Sequence, residues 1–282
     1  MSNLVVGGAS LSRLSLVKTS KFLEESRVLG ITEIDSAPLY GVEEKLGQIL
    51  SGSKEFLYNS KVGRPLKIPI TCSKIEQQVE KTLHDLRIEQ INILFIHSIS
   101  IDILSDKILT LLEQLRSQGI IKFLGYSGDS ADLRAVCSLE IFDKFMGTLN
   151  YLDLGNYETL SNLPENQIYL KRILANGVFR ETSCISKVRS RGHRNPVIDK
   201  NSYVFRHKIL TAQEKVNLEQ AISFINTKFL SVKKVVGMGS IRHLRQTSAI
   251  ASRNQMWGER QFADWLENWG EKQRNFQWSV IT

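Results

Sequence analysis

The feature of this chain that most limits how it can fold is a repeated alternation of short, β-branched apolar runs with longer stretches of helical period. The runs are Leu4–Val6, Ile31–Asp35, Phe56–Lys61, Ile91–His97, Ile121–Tyr126, Gly147–Asn150, Gln167–Leu174 and Lys234–Gly237. Between them, Val17–Leu29, Glu43–Leu50, Lys74–Leu86, Asp106–Gln118, Ala131–Leu139, Ala212–Lys228 and Ile241–Ala251 read as helices. In the third of these, Ile75, Val79, Leu83 and Leu86 form one apolar stripe. Gly30 and Gly119 stand where a left-handed residue closes a helix, and Thr211 stands where a hydroxyl caps one. Eight strands alternating with seven helices in 282 residues suit a (β/α)8 TIM barrel, with a doubly wound open sheet as the alternative. No GxGxxG follows the first strand and no GxxxxGK[ST] occurs, so the commonest phosphate-cradling signatures of open sheets are missing and the barrel is favoured. The expected architecture is one α/β barrel domain over residues 1–282. Residues 257–282, with Trp257, Trp265, Trp269 and Trp278, would form an extra C-terminal helical segment whose tryptophans serve packing.

Composition narrows the function classes. With 42% hydrophobic and 23% charged residues the chain is of soluble globular type rather than disordered or fibrous. Its 37 Lys and Arg against 29 Asp and Glu give a net charge of +8, which biases partners toward anions: phosphorylated cofactors, acidic metabolites, nucleic acid or a membrane surface. The basic residues are dispersed outside one loop and no reading motif is present, so a nucleic-acid partner is not expected. Arg13, Lys18, Lys21, Glu24, Glu25 and Arg27 interrupt the first 29 residues, leaving no apolar signal-peptide core. No run approaches the roughly 18 apolar residues of a membrane span. The expectation is a cytoplasmic protein with no membrane partner. Cys72, Cys137 and Cys184 are an odd, widely spaced set, which argues against a disulfide framework or a zinc site.

The polar residues that close consecutive strands point to chemistry. Ile31–Asp35 ends in a carboxylate, Phe56–Lys61 in an ammonium and Ile91–His97 in an imidazole, and Tyr40 follows Asp35 by five positions. In a barrel, residues at the C-terminal strand ends face the catalytic mouth. A phenol is a useful proton donor at neutrality only where a nearby cation stabilises its phenolate. Lys61 is placed to be that cation, Asp35 to hold Lys61 charged, and His97 to orient a substrate oxygen. Taken singly, each such residue at a strand end is more often a cap, a surface ion pair or a satisfied core group than a catalytic one. Together they would protonate a carbonyl oxygen, but they supply no hydride, electron or nucleophile, so a cofactor is required.

The same residues resemble the aldo-keto reductase family. Gly30-Ile-Thr-Glu-Ile-Asp-Ser-Ala-Pro-Leu-Tyr-Gly-Val-Glu-Glu-Lys-Leu-Gly47 looks like that family's signature. The likeness continues through Ser60-Lys-Val-Gly63, Leu83–Ser98, Leu112–Ser127 and Val235–Ser240, nearly the whole chain in order. The resemblance implies a TIM barrel binding NADPH, or NADH, without a Rossmann domain. It also implies a tetrad of Asp35, Tyr40, Lys61 and His97, with Tyr40 as general acid for reduction of a carbonyl. For the cofactor it implies contacts at Ser127, Gly237, Gly239 and Ser240, with Arg242 and His243 near a 2′-phosphate; Arg242 reads equally as a solvated helix residue, Asn150 as a ligand or a structural residue, and Arg172 as a phosphate contact or a solvent-facing strand end. Departures fall in the cofactor site: Gly128 and Met146 stand where the family has Asn and Gln, Thr247 stands for an Asn, and Arg172-Ile173 stands for Ser-Pro.

The substrate is read only as a small carbonyl compound, an aldehyde, a ketone, a keto-sugar or another anionic metabolite. Leu39, Arg64, Ile99, Tyr126 and Trp257 are candidates to line its pocket. The loop Lys187–Pro196, basic over 187–194, reads as a solvated loop or as a lid over an anion. A second class of function is a cofactor-binding sensor on the same barrel with little turnover. The sequence is silent on oligomeric state.

Overall fold

The computed structural model describes residues 2–64, 70–151, 153–175 and 217–273, with side chains described as far as residue 267. Eight parallel strands close into a barrel in chain order: β1 Leu4–Gly7, β2 Glu33–Asp35, β3 Leu57–Val62, β4 Ile91–His97, β5 Ile121–Ser127, β6 Lys144–Thr148, β7 Ile168–Lys171 and β8 Lys233–Val236. The register Leu4↔Lys234 and Val6↔Val236 closes β1 on β8, so the open sheet is ruled out.

Helices follow the strands: α1 Leu16–Val28, α2 Glu43–Leu50, α3 Cys72–Leu86, α4 Asp106–Ser117, α5 Ser130–Val136, α6 Tyr157–Ser161, α7 Leu218–Phe229, α8 Ile241–Ala251 and α9 Glu259–Gln273. Their ends follow local chemistry. Ser15 caps α1 and Thr71 caps α3 with side-chain oxygens. Gly30 (φ +69°) and Gly119 (φ +76°) take the left-handed conformation after α1 and α4. Thr211 and the first residues of the expected helix Ala212–Lys228 lie outside the described residues, as do Cys184, Trp278 and the basic loop 187–194.

Alternation along the strands separates two cores. Val5, Ile93, Phe95, Met146, Tyr169 and Val235 point inward and plug the barrel. Val6, Ile34, Leu94, Ile96, Leu124 and Val236 point outward under the helices. This parity positions the site: His97 follows Ile93 and Phe95 on the inward face of β4, and Lys171 follows Tyr169 on β7. Below the mouth, the Glu33 carboxylate takes hydrogen bonds from Asn59 Nδ2 (2.8 Å) and the Tyr169 hydroxyl (2.7 Å), and pairs with Lys233 Nζ (2.9 Å).

The C-terminal segment packs as expected. Trp265 of α9 stacks on Tyr151 at 3.8 Å between ring centroids, and Trp257 meets Tyr151 and Phe224 edge-on at 5.4 and 5.3 Å. The side chain of Trp269 lies outside the description. No helix among the described residues is long and apolar enough to cross a membrane.

Candidate active site

Three adjacent strands deliver three side chains to one place. β2 is only three residues long, with Ile34 outward, so Asp35 turns inward at its end. In β3 the outward Ser60 donates to Glu43 Oε1 (2.6 Å) behind the sheet, while Lys61 faces in. Lys61 Nζ bridges both oxygens of Asp35, at 2.6 and 2.5 Å, and donates to the Ser36 carbonyl at 3.0 Å. Tyr40 ends a single 3-10 turn, Pro38–Tyr40, that Gly41 closes at φ +61°. Its ring lies edge-on to His97 at 6.1 Å, and Lys61 Nζ is 5.3 Å from its centroid. The four residues expected to act together are therefore neighbours.

Burial sets their charges. Burial alone would push the Lys61 ammonium down, but the Asp35 carboxylate and the Tyr40 oxygen outweigh it and hold Lys61 above its ordinary value. His97 goes the other way: burial first, then the charges of Lys61, Lys171, Arg64 and Arg172, push its imidazole down to about 2. It is a neutral ring at physiological pH, able to donate one hydrogen bond without acting as the acid.

A second cluster, which strand-end reading did not anticipate, occupies the other side of the mouth. Lys171 Nζ pairs with Asp129 Oδ2 at 3.2 Å and reaches Ser127 Oγ at 3.4 Å; Arg172 Nη1 lies 3.7 Å from the same carboxylate oxygen and 3.3 Å from Thr148 Oγ1. Asp129 Oδ1 is held by the Thr148 amide (2.7 Å) and Asn156 Nδ2 (2.9 Å). Burial, with Arg172 and Lys61 adding to it against Asp129, pushes Lys171 down to about 8. Arg172 adopts a left-handed backbone at φ +58°, a strained state for a side-chain-bearing residue. In the sequence this strand reads on to Leu174, which leaves Lys171 in its middle, whereas β7 ends at Lys171.

The residues assigned to a cofactor divide into two groups. Ser127, Asn150 and Arg172 gather around this second cluster, with Asn150 fully buried and its Nδ2 donating to the Arg172 carbonyl at 3.1 Å. Gly237, Gly239, Ser240, Arg242 and His243 lie where β8 passes into α8. There Ser240 caps the helix by accepting from the His243 amide (3.2 Å), Arg242 is exposed, and a Cβ on Gly239 would meet no atom within 4 Å. Open glycine backbone beside the first turn of an eleven-residue helix suits a phosphate group. The departures have packing causes. A Cβ on Gly128 would come within 2.3 Å of the Tyr126 ring, leaving no room for an amide side chain, and Met146 is spent on the barrel plug. Thr247 lies on the buried face of α8 with Leu244 and Ile250.

Among the expected pocket-lining residues, Tyr126 and Ile99 are fully buried instead, the Tyr126 hydroxyl donating to the Ile99 carbonyl at 2.7 Å. Trp257 belongs to the α9 packing. Leu39 is exposed at the rim, and Arg64 donates to the carbonyls of His97 (3.3 Å) and Ser98 (3.0 Å). No group of ligands suited to a metal ion occurs among the described residues.

Comparison with known proteins supports the same architecture. The sequence profile described as "Aldo/keto reductase family" matches residues 3–167. No curated protein sequence matches significantly. Among solved structures, an aldo-keto reductase from Bacillus halodurans in its holo form is 19% identical with a TM-score of 0.73, covering 94% of this chain and 91% of that one. The glycerol dehydrogenase from Gluconobacter oxydans is 16% identical with a TM-score of 0.66, covering 95% and 92%. These likenesses are in fold.

Proposed function

Since the chain belongs to the aldo/keto reductase family, we propose that it is an NAD(P)H-dependent carbonyl reductase whose general acid is Tyr40. Membership makes it an oxidoreductase of carbonyl compounds, a family that uses nicotinamide cofactors. The observation that carries the finer reading is the joined tetrad: Lys61 locked by Asp35, Tyr40 beside Lys61, and a neutral His97 against the Tyr40 ring. When bound, a reduced nicotinamide supplies the hydride that these residues lack.

In this reading the substrate carbonyl oxygen sits between the Tyr40 hydroxyl and the His97 ring. His97, uncharged, donates one hydrogen bond that fixes the oxygen without competing for the proton. As negative charge grows on that oxygen, Tyr40 delivers its proton, and the Lys61 ammonium stabilises the phenolate left behind. Asp35 keeps Lys61 charged and stationary. Gly237, Gly239, Ser240, Arg242 and His243 would hold the adenosine phosphates, with Arg242 and His243 favouring NADPH. Ser127, Asn150 and Arg172 would lie on the nicotinamide side. The whole chain acts as one barrel domain with residues 257–282 as an extension, working in the cytoplasm on an aldehyde, ketone, keto-sugar or anionic relative.

The sealed position at Gly128 and the apolar Met146 favour one second reading, a cofactor-binding sensor with little turnover. One experiment separates the two. Tyr40→Phe should keep NADPH binding, seen as tryptophan quenching, and lose about 10²- to 10⁴-fold in kcat across a carbonyl panel. Quenching by NADPH with no wild-type turnover would favour the sensor. Absence of quenching by either NADPH or NADH would remove the reductase reading.

A further inference from the structure

The described mouth carries more positive charge than its own carboxylates neutralise. Lys61 is matched by Asp35. Lys171 and Arg172 share the single carboxylate of Asp129, whose other oxygen already serves Thr148 and Asn156. Arg64, just past β3, spends its guanidinium on two backbone carbonyls and has no carboxylate partner among the described residues. Asp132, the other acid of this rim, is held by Ser100 Oγ (3.0 Å) and the Ile101 amide (3.4 Å).

The surplus is localised. Lys61, Lys171, Arg64 and Arg172 all act on the His97 ring, and Arg64 and Arg172 act on each other across the mouth. Arg64 follows β3 and Arg172 follows β7, on opposite sides of the closed barrel, and Arg64 donates to the carbonyl of His97 itself, so the two guanidinium groups flank the mouth into which His97 faces. The glycine backbone at Gly237–Ser240 is a separate place, past β8. Partly desolvated cations without counter-charges are costly to hold, and such groups concentrate where a ligand of opposite charge completes them.

We propose that Arg64, Lys171 and Arg172 form an anion-recognition station beside His97, so that the preferred carbonyl substrate carries a carboxylate or phosphate group near its reacting carbon. This rests on the reductase reading and specifies its substrate class. The anion neutralises the surplus charge, and its tether sets which face of the carbonyl meets Tyr40. A neutral aldehyde of the same shape lacks that tether.

The test compares matched pairs, 4-carboxybenzaldehyde with benzaldehyde and glyceraldehyde 3-phosphate with glyceraldehyde, in wild type, Arg64→Gln and Arg172→Gln. Wild type is expected to favour the charged member of at least one pair by about tenfold or more in kcat/KM, the scale of one charged hydrogen bond. Each variant should shrink that ratio, with the loss in KM for the charged member; Arg64→Gln should do so with NADPH binding unchanged, whereas Arg172→Gln, at a residue also placed beside the nicotinamide, should weaken both. Equal rates on both members of both pairs in wild type would overturn the station while leaving the reductase reading intact. Weaker NADPH binding in the variants with an unchanged charged-to-neutral ratio would also overturn it, assigning the cations to the cofactor diphosphate. Should wild type reduce nothing, the reductase reading falls, and calorimetry with unreactive benzoate and inorganic phosphate decides the station separately. Binding lost in Arg64→Gln supports it, and no binding of either to wild type overturns it. Melting temperatures of the variants identify any that fail to fold, and the wild-type ratio needs no variant.

Discussion

At the scale of single residues, His97 shows how placement overrides intrinsic chemistry. A free imidazole titrates near neutrality, whereas this one is pushed down to about 2 by burial and four cations. Between those values the unfolded chain binds a proton that the folded chain refuses. Stability contributed through His97 is therefore complete above about pH 6.5 and is lost as pH falls below it. His97→Gln should flatten this acid-side loss by up to about 1.4 kcal/mol per pH unit, measured as urea-unfolding free energies of both proteins at pH 7 and pH 5. Identical slopes would mean that the ring is charged in the native state. The tetrad was legible in the sequence because each member closes an apolar run or follows one at a fixed distance. Lys171 closes β7 in the structure, but the apolar run reads on to Leu174 across Lys171 and Arg172, so the sequence places both cations inside a strand rather than at its end. Asp129 was illegible because it lies two residues past β5 and reaches Lys171 only through the closed sheet.

At the scale of elements, the alternation located all eight strands, and the errors have local causes. The expected strand Gly147–Asn150 begins three residues early, at Lys144, because the lysine's ammonium lies over the Phe123 ring at 4.9 Å and the strand start tolerates it. Asn150 instead enters a bridge with Asp153. The five-residue α6 is too short to leave a periodic signal. Contact between α2 and α3 has a stricter requirement. A Cβ on Gly47 would sit 1.9 Å from the Asp85 carbonyl oxygen, and that oxygen belongs to backbone. Gly47→Ala should gain about 1 kcal/mol of helix propensity and lose more to the forced separation, for a net destabilisation of about 1 kcal/mol or more by chemical denaturation. A stabilised variant would show that the two helices can part freely.

At the scale of the whole molecule, closure of β1 on β8 leaves no sheet edge, and α9 is tied to the barrel wall through the Tyr151, Phe224, Trp257 and Trp265 rings. The C-terminal extension should then melt with the barrel rather than before it. Near-ultraviolet circular dichroism, dominated by those rings, and far-ultraviolet circular dichroism should report the same midpoint on heating. An earlier near-ultraviolet transition would make the extension a separate unit. Resemblance along the sequence reached the family and the fold because both rest on strand ends and turns. The ion pairs of the mouth join residues distant in the chain, Lys61 with Asp35 and Lys171 with Asp129, and no single run of residues records those.

The plug of Val5, Phe95, Met146, Tyr169 and Val235 closes the barrel from beneath, so among the described residues no passage runs through the barrel and the mouth serves as both entrance and exit. Two molecules sharing such a blind well queue: the one seated against the floor arrives first and departs last.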